Sequence, residues 1–319
     1  MVIVRKRERM TRVVFAPLIL GGLFLLVIPL LPGAFRFVTA LLYILFWHIV
    51  LAESWDLVGG QMGYINLGHV SFFGIGGYTF GILLNQGLTL PLAFISAPVA
   101  AAIFAFAMSF PFFRLKGAYF ALATFGLVGL LELMASNLRW LTGGVFGLYI
   151  APGFRDVPSY YAALALAGGA VLTNLIIYRS GFGLALASIR EDEAVAQSFG
   201  ISLFRYKTLA LMISASFAGM IGGIFVWQSN YADPPLMFGL EKALIPIVMA
   251  MLGGSGIVVG PLIGAVFLTG IEEFLWTQMP YLHLAVYGVM LAIVGLFMPG
   301  GIARSGPVQR LFARIYRPR

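Results

Sequence analysis

The densest chemistry in this sequence is the run Arg190, Glu191, Asp192 and Glu193, set within GLALASIREDEAVAQSFGISLFRYK at 183–207 and followed by Gly200. A run of charge on a helix serves as a solvated face or as a docking surface. Ser188 is a possible N-cap, Glu191 to Glu193 place acid near a helix start, and Gly200 is a natural stop, which describes one short helix. Ala187, Ile189, Ala194, Val195 and Phe199 give that helix too much apolar surface to leave solvated and too little to span a bilayer. It is expected to dock onto another protein or to lie at a membrane surface.

A second group is GYINLGHVSFFGIGGYT at 63–79, where Asn66, His69 and Ser71 stand among glycines in an otherwise apolar stretch. Glycine weakens helix preference and permits close backbone approach, so the segment reads either as a tightly packed helix or as a broken one lining a path. In GGSGIVVGPLIG at 253–264, Gly256, Gly260 and Gly264 recur every fourth residue, as on a close helix crossing, and Pro261 fits a first helical turn. Gly219 with Gly223, and Gly77 with Gly81, repeat the spacing.

The remaining ionisable groups are isolated. Glu132, Glu272 and Glu273 fall about four residues, roughly 6 Å, from the outer ends of their apolar stretches, where interfacial solvation accounts for them. Glu53 and Asp56 sit similarly near an inner end. His48 has no acidic partner at helical spacing and reads as a hydrogen-bonded structural residue. Catalytic and nucleotide motifs are missing: only Lys207 is followed by Ser or Thr, and Tyr206 precedes it, so there is no GK[ST] phosphate loop, no HExxH metal helix and no GxSxG elbow. With no cysteine, thiolate metal sites and thiol nucleophiles are excluded. No catalytic residue, metal ligand or cofactor of this chain's own is expected.

The elements that carry these groups are membrane helices. Hydrophobic residues make up 61% of the 319 and charged ones 10%, far below the roughly 25% of a soluble domain. Mean hydropathy is +0.97. Apolar stretches fall near 13–31, 37–58, 65–84, 90–110, 118–136, 158–178, 208–229, 241–253, 260–276 and 282–298. The expected fold class is thus an all-α polytopic membrane protein of about ten helices. The first stretch follows basic residues, yet no small-x-small cleavage site follows it, so it reads as a helix rather than a leader. Of the 20 basic residues, only Arg36, Arg139, Arg155 and Lys242 fall outside if both termini are cytoplasmic, leaving 16 inside. Ten spans divide into five plus five of opposite orientation, as in an inverted repeat. The expected organisation is a basic tail over 1–12, a membrane domain over 13–298 with a cytoplasmic loop at 179–207, and a basic tail over 299–319. The net charge of +8 resides largely in those tails, next to anionic lipid, and does not imply nucleic acid.

Four segments together resemble the permease subunits of branched-chain amino-acid ABC importers, the M-type rather than the H-type partner. NLGHVSFFGIGGYT at 66–79 is similar to the family's LGH block. RLKGAYFALATFG at 114–126 with LTGGVFGL at 141–148 is similar to its central pattern, IREDEAVAQSFGISLFRYK at 189–207 to its cytoplasmic coupling loop, and LGGSGIVVGPLIGAVF at 252–267 to its late glycine motif. The resemblance implies a non-catalytic subunit in a bacterial inner membrane. Its implied partners are a homologous H-type permease, two cytoplasmic ATPase subunits that bind the ATP, and a periplasmic solute-binding protein. Arg190, Glu191, Asp192, Glu193 and Gly200 would then meet an ATPase groove, and the weakly polar Asn66, His69, Ser71 and Thr124 would suit the path of a zwitterion. The solute remains open among leucine, isoleucine and valine, amides, urea and aromatic acids. A stand-alone secondary transporter coupled to an ion gradient is the competing reading.

Overall fold

The computed structural model describes residues 25–30, 35–151, 153, 155–278, 289 and 301. The tails over 1–12 and 299–319, apart from Gly301, and most of the stretches expected at 13–31 and 282–298 lie outside the described residues. Helix α1 (Phe35–Asp56) runs on into a π-helical turn, Leu57–Gln61. There follow α2 (His69–Asn85), α3 (Leu90–Phe112), α4 (Ala118–Asn137), the single turn α5 (Arg139–Thr142), α6 (Asp156–Arg179), α7 (Gly181–Glu191) and α8 (Glu193–Ser198). The chain continues through α9 (Leu203–Ser229), α10 (Pro234–Phe238), α11 (Leu240–Gly253) and α12 (Gly260–Gln278). Among the described residues six segments are long and apolar enough to cross a membrane: 36–61, α3, α4, α6, α9 and the α10–α11 pair. The stretch expected to be short, 241–253, is lengthened by α10, whose first turn is started by Asp233 accepting the Leu236 amide at 2.7 Å.

Small residues decide how these helices pack. Every fourth residue of α3 from Ala93 to Ser109 (Ala93, Ala97, Ala101, Ala105, Ser109) is buried, while Ile95, Val99, Ile103 and Phe110 are exposed. The alanine stripe meets α9, where a methyl group on Gly219 would strike Ala101 and the Ala97 carbonyl. On another side of α9, a methyl on Gly222 would strike the Phe73 carbonyl of α2, and one on Gly76 would strike Gly219. Without a hydrophobic drive between helices in lipid, such close approach is what associates them. Of the glycines spaced by four near the end, Gly260 and Gly264 face α11, where added methyls would meet the carbonyls of Gly254 and Met249. Gly256 does not share that face: it lies in the preceding turn at φ +79, because α12 starts only at Gly260.

Loops of like parity gather at the same end of the bundle. At one end β1 (Leu148–Tyr149) pairs antiparallel with β2 (Tyr231–Ala232), and Asn85 donates to the Tyr149 carbonyl at 2.8 Å. At the other end segments 62–68, 113–117, 180–202 and 254–259 converge through Tyr64, Lys116, Arg190, Glu193 and Gly256. By the orientation expected from the charge distribution, the first end is the outer face and the second the inner face.

Candidate functional site

On the inner face the segment expected to form one helix forms two. Ser180 caps α7, accepting the Gly183 amide at 3.3 Å, and Ser188 lies inside that helix with its hydroxyl donating to the Leu184 carbonyl at 2.9 Å. The break comes at Asp192, extended at φ −159, whose Oδ1 accepts the Ala194 and Val195 amides at 2.7 and 3.0 Å and so starts α8. A carboxylate placed to accept two free amides is a stronger cap than a serine already inside a helical turn. Gly200 at φ +83 closes α8. The elbow buries Leu186 and Ile189 against the bundle and leaves Leu184, Val195 and Phe199 exposed, the last at 82%.

Two side chains fasten the elbow. Glu193 receives Lys207 at 2.5 Å, Lys116 at 3.0 Å and the Tyr64 hydroxyl. Partial burial works against its ionisation, but the bonds from Lys207, Tyr64 and Lys116 outweigh it and hold the carboxyl down at about 2, from an ordinary 4.5. Lys207 Nζ also lies 4.5 Å over the Tyr64 ring, so one ammonium joins α9, the 62–68 turn and α8. Arg190 donates to the Gly60 carbonyl in the π-helical turn. The elbow is therefore tied to the inner ends of α1 and α9 and to the loop before α4. Glu191 and Asp192 remain exposed, beside a groove of about 330 Å³ lined in part by Lys116, Arg190 and Glu191.

Asn66, His69, Ser71 and Thr124 are all buried near these attachments. Asn66 Oδ1 accepts the Gly68 amide at 2.9 Å, and Thr124 Oγ1 accepts the Leu67 amide at 3.2 Å while donating to the Ala121 carbonyl. His69 Nε2 is 2.9 Å from Ser54 Oγ. None of the four lines either of the two cavities described here. Glu53 and Asp56, expected to be solvated at an interface, are fully buried instead. Asn174 donates to Glu53 Oε2 at 2.6 Å, and Asp56 Oδ1 accepts the Gly256 amide at 2.8 Å. Burial of this kind requires partners from distant segments, and those partners are supplied by α6 and the α11–α12 turn.

The outer half holds a larger cavity of about 700 Å³ between α1, α6, α9, α11 and α12. Arg36, Asp156, Gln228 and Lys242 stand near the outer ends of their helices at its rim, and Tyr43 and Trp47 line its depth. From Arg36 to Trp47 along α1 is roughly 17 Å at 1.5 Å per residue. Glu272 lines the wall beside Thr269, and His48 joins these two, with Nδ1 2.9 Å from Thr269 Oγ1 and Nε2 3.9 Å from Glu272. His48 thus has an acidic neighbour after all, brought by α12 rather than by its own helix. Helical spacing could not reveal it, and the same is true of the Glu193 contacts with Tyr64, Lys116 and Lys207.

Comparison with known proteins agrees with this architecture. The chain is 28% identical over 291 residues to the high-affinity branched-chain amino acid transport system permease protein LivM of Escherichia coli (strain K12), covering 80% of this chain and 67% of that one. It is likewise 28% identical to LivM of Salmonella typhimurium, with the same coverage. It is 26% identical over 204 residues to the autoinducer 2 import system permease protein LsrC of Salmonella paratyphi B, covering 61% of this chain and 58% of that one. No solved structure matches. The family model described as branched-chain amino acid transport system / permease component matches residues 36–295. A multi-pass helical bundle with this match over most of its length belongs to the permease-component family of branched-chain amino acid transport systems.

Proposed function

We propose that this chain is one of two homologous permease subunits of an ATP-driven importer in a bacterial inner membrane, moving branched-chain amino acids handed over by a periplasmic binding protein. ATP is bound and hydrolysed by two separate cytoplasmic subunits. The observation that carries this reading is the α7–α8 elbow: an exposed apolar and acidic projection (Leu184, Val195, Phe199, Glu191, Asp192) whose base is fastened by Glu193 and Arg190 to the inner ends of the membrane helices. A projection that served only as a loop would need no such fastening. A subunit that must convert motion of an ATPase pair into motion of membrane helices does.

In this reading ATPase closure displaces the elbow, and Arg190 and Glu193 pass the displacement to α1, α9 and the loop before α4. A two-state bundle then shifts between inward-open and outward-open forms, biased by the difference in ATPase affinity for each. Both termini are cytoplasmic, and ten spans complete the subunit. The test is mild-detergent purification of the chain expressed with its gene neighbours. Recovery of a second permease and two ATPases supports the proposal; a chain that runs alone from cells making all of those subunits contradicts it.

A further inference from the structure

The inner ends of α3 and α9 meet through aromatic rings. Phe106 lies 5.2 Å from Phe110, and Phe110 lies 5.1 Å from Phe204 of α9, between ring centroids. These three rings are 41% to 49% exposed, and Leu209, further along α9, is 49% exposed. Counted from Phe112, the last residue of α3, back to Phe106, and from Leu203, the first of α9, on to Leu209, the exposed apolar surface reaches roughly 9 Å into both spans. Two arginines stand where this strip ends on the inner face. Arg114 comes about one turn's length beyond Phe110, and Arg205 directly follows Phe204. Both are exposed, and neither makes a hydrogen bond or ion pair among the described residues. Neighbouring cations are used within the chain: Lys116 and Lys207 by Glu193, and Arg190 by the Gly60 carbonyl.

We propose that Arg114, Arg205 and the strip of Phe106, Phe110 and Phe204 form a binding site for a phospholipid with an anionic headgroup in the inner leaflet. The headgroup phosphate takes the two guanidiniums, whose planar donor forks match phosphate oxygens, and an acyl chain lies along the rings. The strip and the charges together select this ligand. A cytoplasmic protein could reach the arginines but would not follow the rings into the spans, and a soluble phosphate would leave the rings uncovered. Phosphatidylcholine and phosphatidylethanolamine carry an ammonium that already offsets their phosphate. Phosphatidylglycerol has no such internal partner, and its net negative charge is left for the arginines.

Native mass spectrometry of the full chain in detergent, with phosphatidylglycerol titrated against phosphatidylcholine of the same acyl chains, reads this preference. One phosphatidylglycerol is expected to bind in preference to phosphatidylcholine. Arg114→Gln and Arg205→Gln are each expected to weaken it about fivefold, and the double variant about 25-fold, the scale set by single basic residues at an anionic surface. Arg114→Lys with Arg205→Lys keeps both charges and is expected to retain the preference, which separates loss of charge from loss of fold. Arg139→Gln, exposed at the outer end, is expected to change nothing. Phe204→Ser is expected to weaken phosphatidylglycerol binding, and glycerol 3-phosphate in large excess is not expected to displace the lipid. Equal binding of the two lipids by wild type, no loss in the double Gln variant, or an equal loss in Arg139→Gln would overturn the proposal. So would displacement by glycerol 3-phosphate, which would mark a site for soluble phosphate, or loss of the lipid once the chain is purified with its partner subunits, which would show that protein covers this surface. The titration needs no ATPase or binding protein, so its outcome is independent of the importer reading.

Discussion

Replacing Glu193 by Gln removes a negative charge from a point where Lys207, only 3% exposed, Lys116 and Tyr64 converge. The carboxyl ionises at about 2 in the folded elbow against 4.5 ordinarily, and at 1.36 kcal/mol per unit that difference corresponds to about 3 kcal/mol of stabilisation. Leaving a buried ammonium without its counter-charge independently costs roughly 3 to 5 kcal/mol. The sign follows from the depressed value: the contribution is complete above about 4.5 and is lost as pH falls from there toward 2. Backbone amides of 180–202, followed by hydrogen exchange in a lipid nanodisc at neutral pH, should therefore exchange about 100-fold faster in Glu193→Gln, with the core of α9 unchanged. An increase below about threefold would refute the view that this cluster holds the elbow in place.

Other substitutions probe separate parts of the account. Gly264→Ala should destabilise the bundle by about 1 to 3 kcal/mol, because its methyl meets the Met249 carbonyl, whereas Gly270→Ala on the same helix, with nothing within 4 Å of the added methyl among the described residues, should leave the melting temperature in detergent unchanged. Phe199→Ser should alter stability by no more than about 0.5 kcal/mol, since the ring is exposed, yet reduce the yield of co-purified ATPase measured by quantitative gel analysis. Glu191→Lys, at a residue exposed beside the same groove, should weaken that association with a salt dependence that wild type lacks or shows in reverse, read by pull-down across ionic strength.

The membrane class and the approximate course of most spans were legible in the sequence, because a stretch of some twenty apolar residues has few other uses. The helix crossings were partly legible: the fourfold spacing of Gly260 and Gly264 announced close approach, but only the start of α12 at Gly260 shows that Gly256 belongs to a turn. Within the acidic run, Ser188 and Asp192 are both plausible caps by type, and the choice depends on which one faces free amides once α7 has docked Leu186 and Ile189. The π-helical turn after Asp56 left no compositional mark. Least legible were pairings between distant segments, such as Glu53 with Asn174, Asp56 with Gly256 and His48 with Glu272, since each partner is chosen by packing rather than by spacing along a helix. The outer cavity was invisible for the same reason: its charged residues come from separate helices and appear individually as interfacial side chains.

The central claim, that this chain is the membrane part of an importer powered by ATP on other subunits, is tested most directly by leucine uptake into proteoliposomes. The chain, its co-purifying permease and the ATPases would be reconstituted with leucine-loaded binding protein outside and ATP inside. Accumulation that requires ATP, stops when the ATPases are omitted, and ignores collapse of proton and sodium gradients is the predicted result. Accumulation by this chain alone, without ATP and abolished by collapsing an ion gradient, would contradict it and turn attention to the buried carboxylates of α1 and to Glu272.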